Sequence, residues 1–324
     1  MRENSGNHDA APQLTTHECK ELDVWSAEVG WDLGYRQVGK GQFDAWFNMN
    51  LCSQLRAVDQ YCNRETLVSG SPPPNHVAIL IPTNQGSRGI LQGKLLKSHE
   101  VAISTPGSET TYRSPADLRI LSLHVPVDRL REGFRAIAQT DLDHLIGETR
   151  VIELPDESLQ RLTAIGRHVA SAAEFAAGKA SETYQKELEE HFVVALVRGF
   201  AGDREAEPGL RSRQNRVRYV LAARDYIESH LAEPLGLETL ARVTGVSPRT
   251  LEYAFREVFD ITPIRFIKTR RLNAARRRFL TAEDPRLKVT DVALDYGFQH
   301  FSHFSRDYHA MFGEYPSQTL RTDS

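Results

Sequence analysis

Three histidines, His300, His303 and His309, fall within ten positions of the stretch QHFSHFSRDYHAMF (299–312), interleaved with aromatic residues. Imidazoles at that density could hold a metal or move a proton. Helical geometry separates them. At ~100° per residue, His309 points roughly 180° away from His300, so one helix cannot turn all three toward one ion. His303 then shares an outer face with Ser302 and Arg306, His309 lies on the flank, and His300 sits near the helix start as a capping or packing residue. Elsewhere His76, His99 and His124 stand alone, with only Glu100 adjacent to His99, so the clustered ligands of a metal enzyme are missing. Cys19, Cys52 and Cys62 are scattered and odd in number, which suits neither a disulfide framework nor a zinc module. Gly39 and Gly41 in VGKGQ form only a G-x-G, too short for a dinucleotide fingerprint and suited to a hairpin turn. No catalytic residue, metal or cofactor is expected.

The elements around the histidines form a repeat. LARVTGVSPRTLEYAFREVFDITP (240–263) and VALDYGFQHFSHFSRDYHAMFGEYP (292–316) align at Ala241/Ala293 and Gly245/Gly297. After one inserted residue, Leu251, Phe255, Phe259 and Pro263 match Phe304, Tyr308, Phe312 and Pro316. Each copy has a small residue for close helix approach, a glycine for the turn and a second helix apolar at i, i+4 and i+8, the pattern of a helix-turn-helix. Ser247 and Pro248 read as an N-cap and first helical position. Leu251, Ala254, Phe255 and Val258 then face inward, leaving Arg249, Thr250, Glu252, Tyr253 and Arg256 outside. In the second copy Phe301, Phe304, Tyr308, Met311 and Phe312 form the expected buried stripe, opposite Ser302, His303 and Arg306. The second helix of such a unit enters the DNA major groove, which makes the two outer faces candidate reading surfaces. Between them TPIRFIKTRRLNAARRRFL (262–280) predicts a central helix of about 17 residues, spanning ~25 Å, near the ~34 Å spacing of successive groove turns.

The 324-residue chain carries a net charge of −3, distributed unevenly. Residues 211–324 hold 19 basic and 14 acidic side chains, the remainder 21 and 29. A basic C-terminal part beside an acidic N-terminal one directs only the former to a polyanion. The longest clean apolar run near the middle, FVVALV (192–197), is far short of the ~20 residues of a membrane span. The polar opening MRENSGNHDAAPQL lacks a signal-peptide core, so a cytoplasmic location and a disordered leader over 1–24 are expected.

From 25 to 126, short β-branched or alternating runs separated by VGKGQ, SGSPPPN, NQGSRG and SPAD predict a β-rich sandwich or barrel. Over 127–201 the period becomes helical. Leu159, Leu162, Ile165, Val169 and Ala172 mark one amphipathic helix, and Tyr184, Leu188, Phe192, Ala195 and Leu196 a second. Either face could pack on the sheet or form a dimer interface. GDREAEPGLRSR (202–213) reads as a linker to an all-helical domain over 214–324. The fold class expected is α+β. Trp46, Tyr61, Tyr112 and His124 lie in predicted strands and are candidates for an effector pocket, which would be mainly apolar with a few polar groups.

The C-terminal hundred residues resemble the DNA-binding domain of the AraC/XylS family of bacterial transcription regulators. The resemblance rests on PLGLETLARVTGVSPRTLEYAF, TPIRFIKTRRLNAA and, above all, DVALDYGFQHFSHFSRDYHAMFGEYPSQTLR. It implies two helix-turn-helix units joined by a central helix, each set against one of two adjacent major-groove segments of double-stranded DNA. It places Arg249, Glu252, Tyr253, Ser302, His303 and Arg306 near base edges, and implies RNA polymerase as a partner and a cupin-like sensor domain over 25–201. The chain departs from the family pattern at Phe266 (usually Tyr), Tyr308 (Phe), His309 (Lys or Arg) and Thr319-Leu320. GYRQVGKGQFDAWF (34–47) is similar to the opening of sensor domains in a subgroup that includes ethanolamine-utilisation regulators. The function expected is transcription regulation, as an activator responsive to a small organic effector. The alternatives are a ligand-independent regulator acting through homodimerisation and a cupin-type metalloenzyme with a helical tail.

Overall fold

The computed structural model describes residues 14–28, 30–84, 89–97, 99–139, 142, 147, 149–200 and 210–321. The first half is built on two antiparallel sheets. Its strands are β1 (Leu14–Thr16), β2 (Asp32–Gln37), β3 (Ala45–Cys52), β4 (Leu55–Cys62), β5 (Thr66–Ser71), β6 (His76–Pro82), β7 (Ile90–Leu91), β8 (Lys94–Leu95), β9 (Glu100–Ser104), β10 (Thr110–Ser114), β11 (Leu118–Pro126) and β12 (Arg150–Glu153). The larger sheet runs β1-β3-β4-β11-β6-β9-β12 and the smaller β2-β5-β10-β7-β8.

Helix α1 (Cys19–Glu28) packs beside β2, α2 (Val127–Gly133) continues into a π-helical turn at Phe134–Ala138, and α3 (Asp156–Ser171), α4 (Ala173–Ala176) and α5 (Glu182–Phe200) follow. The faces of α3 and α5 marked by the helical period are buried against their own sheet except at Tyr184, which is exposed at the start of α5: Leu162, Val169, Phe192 and Leu196 share one core with Ile79, Leu121 and Leu123. At Gly166 the approach is so close that a Cβ would lie 2.5 Å from Leu123 Cδ2.

The second half is helical: α6 (Leu210–Ser229), α7 (Leu237–Thr244), α8 (Pro248–Phe259), α9 (Pro263–Leu280), α10 (Val289–Asp295), α11 (Phe301–Phe312) and α12 (Pro316–Thr319). It has two cores. One joins α6, α7, α8 and the start of α9 around Phe255, Phe259 and Phe266. The other joins the end of α9 to α10 and α11 around Phe279, Phe304 and Tyr308. Val38 and Leu67 of the sheet half enter the first of these cores.

Three expectations change. The leader expected over 1–24 contains a strand and a helix from residue 14 onward, because Leu22, buried completely, and Trp25 pack with Tyr35 and Phe47; residues 1–13 lie outside the described residues. The helical stretch 127–201 includes strand β12, which pairs with β9 from Arg150↔Ile103 to Glu153↔Glu100. The last four positions of the expected linker, 210–213, already belong to α6, and 202–209 lie outside the described residues.

Candidate nucleic-acid interface

The two repeat copies turn their corners alike. Gly245 (φ +70°) and Gly297 (φ +75°) end α7 and α10 or follow them in the left-handed region, where a Cβ is disfavoured. In each copy the amide after the glycine donates back to the matched alanine: Val246 N–H to Ala241 O (3.2 Å) and Phe298 N–H to Ala293 O (2.8 Å). The second helices start differently. Ser247 Oγ accepts from Thr250 N–H (3.1 Å) and Pro248 opens α8, so that end is capped within the chain. His300 occupies the N-cap position of α11 without a side-chain cap bond.

On α8, Leu251, Ala254, Phe255 and Val258 are buried, while Arg249, Thr250, Tyr253 and Arg256 are exposed and Glu252 half-buried. Arg249 makes no hydrogen bond or ion pair with described residues, which leaves its donors available. Thr250 Oγ1 lies 2.8 Å from Ser247 Oγ, tying that hydroxyl to the cap. Arg256 donates to Glu252 across one helical turn (2.9 Å), and Tyr253, 61% exposed, lies under the Arg216 guanidinium at 5.8 Å.

On α11, Phe304, Tyr308, Met311 and Phe312 are buried, and Ser302, His303 and Arg306 are exposed together. Phe301 departs from the expected stripe. It sits in the first turn, 46% exposed, touching only the edge of the core through Phe304 at 6.3 Å between ring centroids. His300 and His303 rings stand 5.6 Å apart, whereas His309 leans on Tyr315 at 4.4 Å. Among the described residues no three His, Cys, Asp or Glu side chains group as a metal site.

Central helix α9 fixes both units. Its N-cap Thr262 accepts from Arg265 N–H, and Lys268 pairs with Asp307 of α11 at 2.6 Å. Two departures from the family pattern answer each other: the Tyr308 hydroxyl is hydrogen-bonded to Thr319 Oγ1 (2.8 Å), so the extra buried oxygen has a partner. Sequence pattern alone did not single out the exposed cations Arg242, Arg265 and Lys268, which stand on these same helices with no periodicity to mark them.

The sheet half contains a small apolar cavity of about 60 Å3, lined by residues that include Trp31, Leu33, Tyr35, Val58, Leu80, Tyr112, Ile120 and His124. Tyr112 and His124 therefore stand where a pocket was expected. Trp46 and Tyr61 do not. They pair across β3 and β4 and stack on the opposite sheet face, with Arg119 over Trp46 at 5.1 Å and Tyr61 OH donating to Asp117 (2.7 Å). Side chains alternate along a strand, so Gln60 and Cys62 face the cavity and Tyr61 cannot.

His124 is fully enclosed, and its pKa is held well below the ordinary 6.5, first by burial and then by the charge of Arg56. Trp31 Nε1–H donates to its Nδ1 (3.0 Å), so the neutral ring carries its proton on Nε2 and donates to Ser122 Oγ (2.7 Å). The Tyr112 hydroxyl and Thr66 Oγ1, both in the cavity wall, have no hydrogen-bond partner among the described residues.

The two halves meet through polar contacts. Gln37 Nε2 donates to Met311 O at the end of α11 (2.7 Å), as does Gly41 N–H (3.0 Å). Asn273 of α9 donates to Gln37 O (3.1 Å), Arg113 pairs with Asp260 at the end of α8, and Arg276 of α9 pairs with Glu18.

A family model described as a helix-turn-helix domain matches residues 240–322. XylDLEGF operon transcriptional activator 3 of Pseudomonas putida is 40% identical over 96 residues, 30% of this chain and 29% of that one. Regulatory protein SoxS of Salmonella typhimurium is 32% identical over 93 residues, 29% of this chain and 84% of that one. A crystal structure of a probable AraC family transcriptional regulator from Rhodopseudomonas palustris is 38% identical, covering 32% of this chain and 95% of that one, with a TM-score of 0.31. The chain spans less than a third of the length of the operon regulators it matches first. No helix among the described residues is long and apolar enough to cross a membrane.

Proposed function

The chain belongs to the AraC/XylS family of DNA-binding transcription regulators, and from that premise we propose that it is an activator in the cytoplasm whose N-terminal half senses a small organic effector. In this reading the cupin-like sensor domain expected over 25–201 also takes in the strand and helix from residue 14, and the DNA-binding domain expected over 214–324 begins with α6 at Leu210. The observation that carries the DNA-binding part is the paired exposure of Arg249, Tyr253 and Arg256 on α8 and of Ser302, His303 and Arg306 on α11, each backed by its own buried core.

Arg249 and Arg306 act as guanine readers, with a fork matched to O6 and N7, while His303, Ser302 and the flanking cations Arg242, Arg265 and Lys268 contact bases or phosphate. Phosphate contacts supply salt-sensitive affinity and the base contacts supply selectivity. The effector part is supported by the apolar lining of the cavity and by the Tyr112 hydroxyl in its wall, which has no partner among the described residues; at about 60 Å3 the cavity is smaller than the ~300–1,000 Å3 of small-molecule sites, so an effector must widen it on entering. Tyr35 lies in that wall on β2, the strand whose Gln37 is bonded to α11, so a ligand that displaces β2 biases the placement of the second unit. RNA polymerase and a second copy of the chain are the proposed protein partners. Mobility-shift titration of a selected operator with and without a broad panel of small organic molecules tests the reading. A ligand-dependent change in affinity or transcription supports sensing, and unchanged values across the panel refute it.

A further inference from the structure

Between α1, β2 and α9 lies a second cleft, of about 480 Å3, far from apolar in its charge content. Lys20, Arg36, Arg270, Arg276, Arg277 and Arg278 line it, against the two carboxylates of Glu18 and Glu228. Most cations at this seam have counter-ions: Arg36 pairs with Asp23 at 2.6 Å, and Arg276 is held by both Glu18 and Glu314. Arg270 is different. Its side chain is nine-tenths buried, its Nε reaches Glu228, and its Nη1 is enclosed with no hydrogen-bond partner among the described residues.

A buried guanidinium N–H without an acceptor is costly, and here burial is compounded by repulsion from Arg36 and Arg277, which together push the Arg270 pKa down. Among the described residues the Arg277 side chain has one polar partner, Asp23 at 3.3 Å, and it is half exposed. Lys20 and Arg278 make no hydrogen bond or ion pair with described residues. Four cationic side chains thus converge with unused donors, and Leu231, Leu280 and Phe312 supply an apolar flank. The volume lies within the range of about 300–1,000 Å3 of small-molecule sites.

We propose that this cleft binds a small organic polyanion carrying two or more carboxylate or phosphate groups, with Arg270 and Arg277 as its forked donors and Lys20 and Arg278 as outer cations. The anion supplies the acceptor that Arg270 Nη1 lacks and relieves the repulsion among the guanidiniums. Because Lys20 comes from the sheet half and the arginines from α9, occupancy fastens the two halves together.

Isothermal titration of the full chain with pyrophosphate and, separately, citrate, at matched ionic strength, tests the site, and the two probes separate a phosphate ligand from a carboxylate one. Saturable one-to-one binding of either is expected. Arg277→Gln, at an exposed position, and Arg270→Lys, which keeps the charge and loses the fork, each weaken it by about tenfold or more. Arg249→Ala/Arg306→Ala, on the proposed DNA face, leaves it unchanged. Absence of saturable binding by both probes overturns the proposal, as does binding indifferent to Arg277→Gln or abolished by the Arg249/Arg306 pair.

Discussion

Replacing Arg306 with alanine separates base reading from phosphate clamping. The side chain is exposed on α11 and bonds to no described residue, so its truncation removes no internal contact and stability changes by less than about 0.5 kcal/mol. On the proposed reading, what it removes on DNA is one forked base contact, ~1–3 kcal/mol, or roughly 5- to 150-fold in affinity. The structure predicts a less clean result at Arg256, whose guanidinium already holds Glu252 at 2.9 Å. Truncation there leaves that carboxylate unpaired on the proposed DNA face, mixing two effects. Fluorescence anisotropy on a selected operator, and on operators altered one base pair at a time, measures both. For Arg306→Ala the loss is confined to the segment under the second unit, and the variant no longer distinguishes bases there. An equal loss on every sequence, with the salt slope reduced by about 1, makes Arg306 a phosphate clamp; no loss removes α11 from the interface.

The matched turns offer an internal control. Gly245→Ala meets no atom within 4 Å and carries only the conformational penalty of about 1–2 kcal/mol, whereas at Gly297 the added Cβ also lies 2.9 Å from Arg271 Nη1, whose guanidinium donates to Leu231 O and Glu233 O. Hydrogen exchange of α10–α11 and α7–α8 should therefore show the larger loss of protection for Gly297→Ala; equal losses would refute the steric contribution. Stability should also fall with acid. Burial, aided by Arg56, lowers the pKa of both His76 and His124 below 6.5, so the unfolded chain takes up more protons than the folded one in the window beneath that value. Their contribution is fully present above about pH 6.5 and is lost as pH drops through that window. A melting temperature that falls between pH 7 and 5, less steeply in His124→Asn, is the expected result; a rise on acidification would contradict it.

The helical half was legible because its signals are local. Glycine turns, the Ser247-Pro248 start and an i, i+4 apolar stripe each report on one element, and repetition doubles them. Phe301 misled because periodicity assigns a face without knowing where the neighbouring core ends: Phe304 enters the core shared with α9 and α10, and Phe301, one turn earlier, stays outside it. The sheet half defeated the same reasoning at Trp46 and Tyr61. The larger sheet is covered by α3 on one face and by the smaller sheet on the other, so β3 and β4 bury side chains on both, and hydrophobicity cannot say which parity points into the cavity. The strand and helix at 14–28 were hidden by polar composition; Leu22, Trp25 and Ser26 anchor a segment that is otherwise hydrophilic. The Arg-lined cleft was unreadable for another reason. Its cations come from positions more than two hundred residues apart, and only folding brings Lys20 and Arg36 to Arg270.

The central claim is that α8 and α11 read two successive major-groove segments on one face of the duplex. Methylation-protection footprinting of guanine N7 on a selected operator tests it directly. The account predicts two clusters of protected guanines, centred about one helical turn (10–10.5 bp) apart, with the cluster under the second unit lost in Arg306→Ala and the cluster under the first lost in Arg249→Ala. A single cluster, or protection that neither substitution removes, would contradict it.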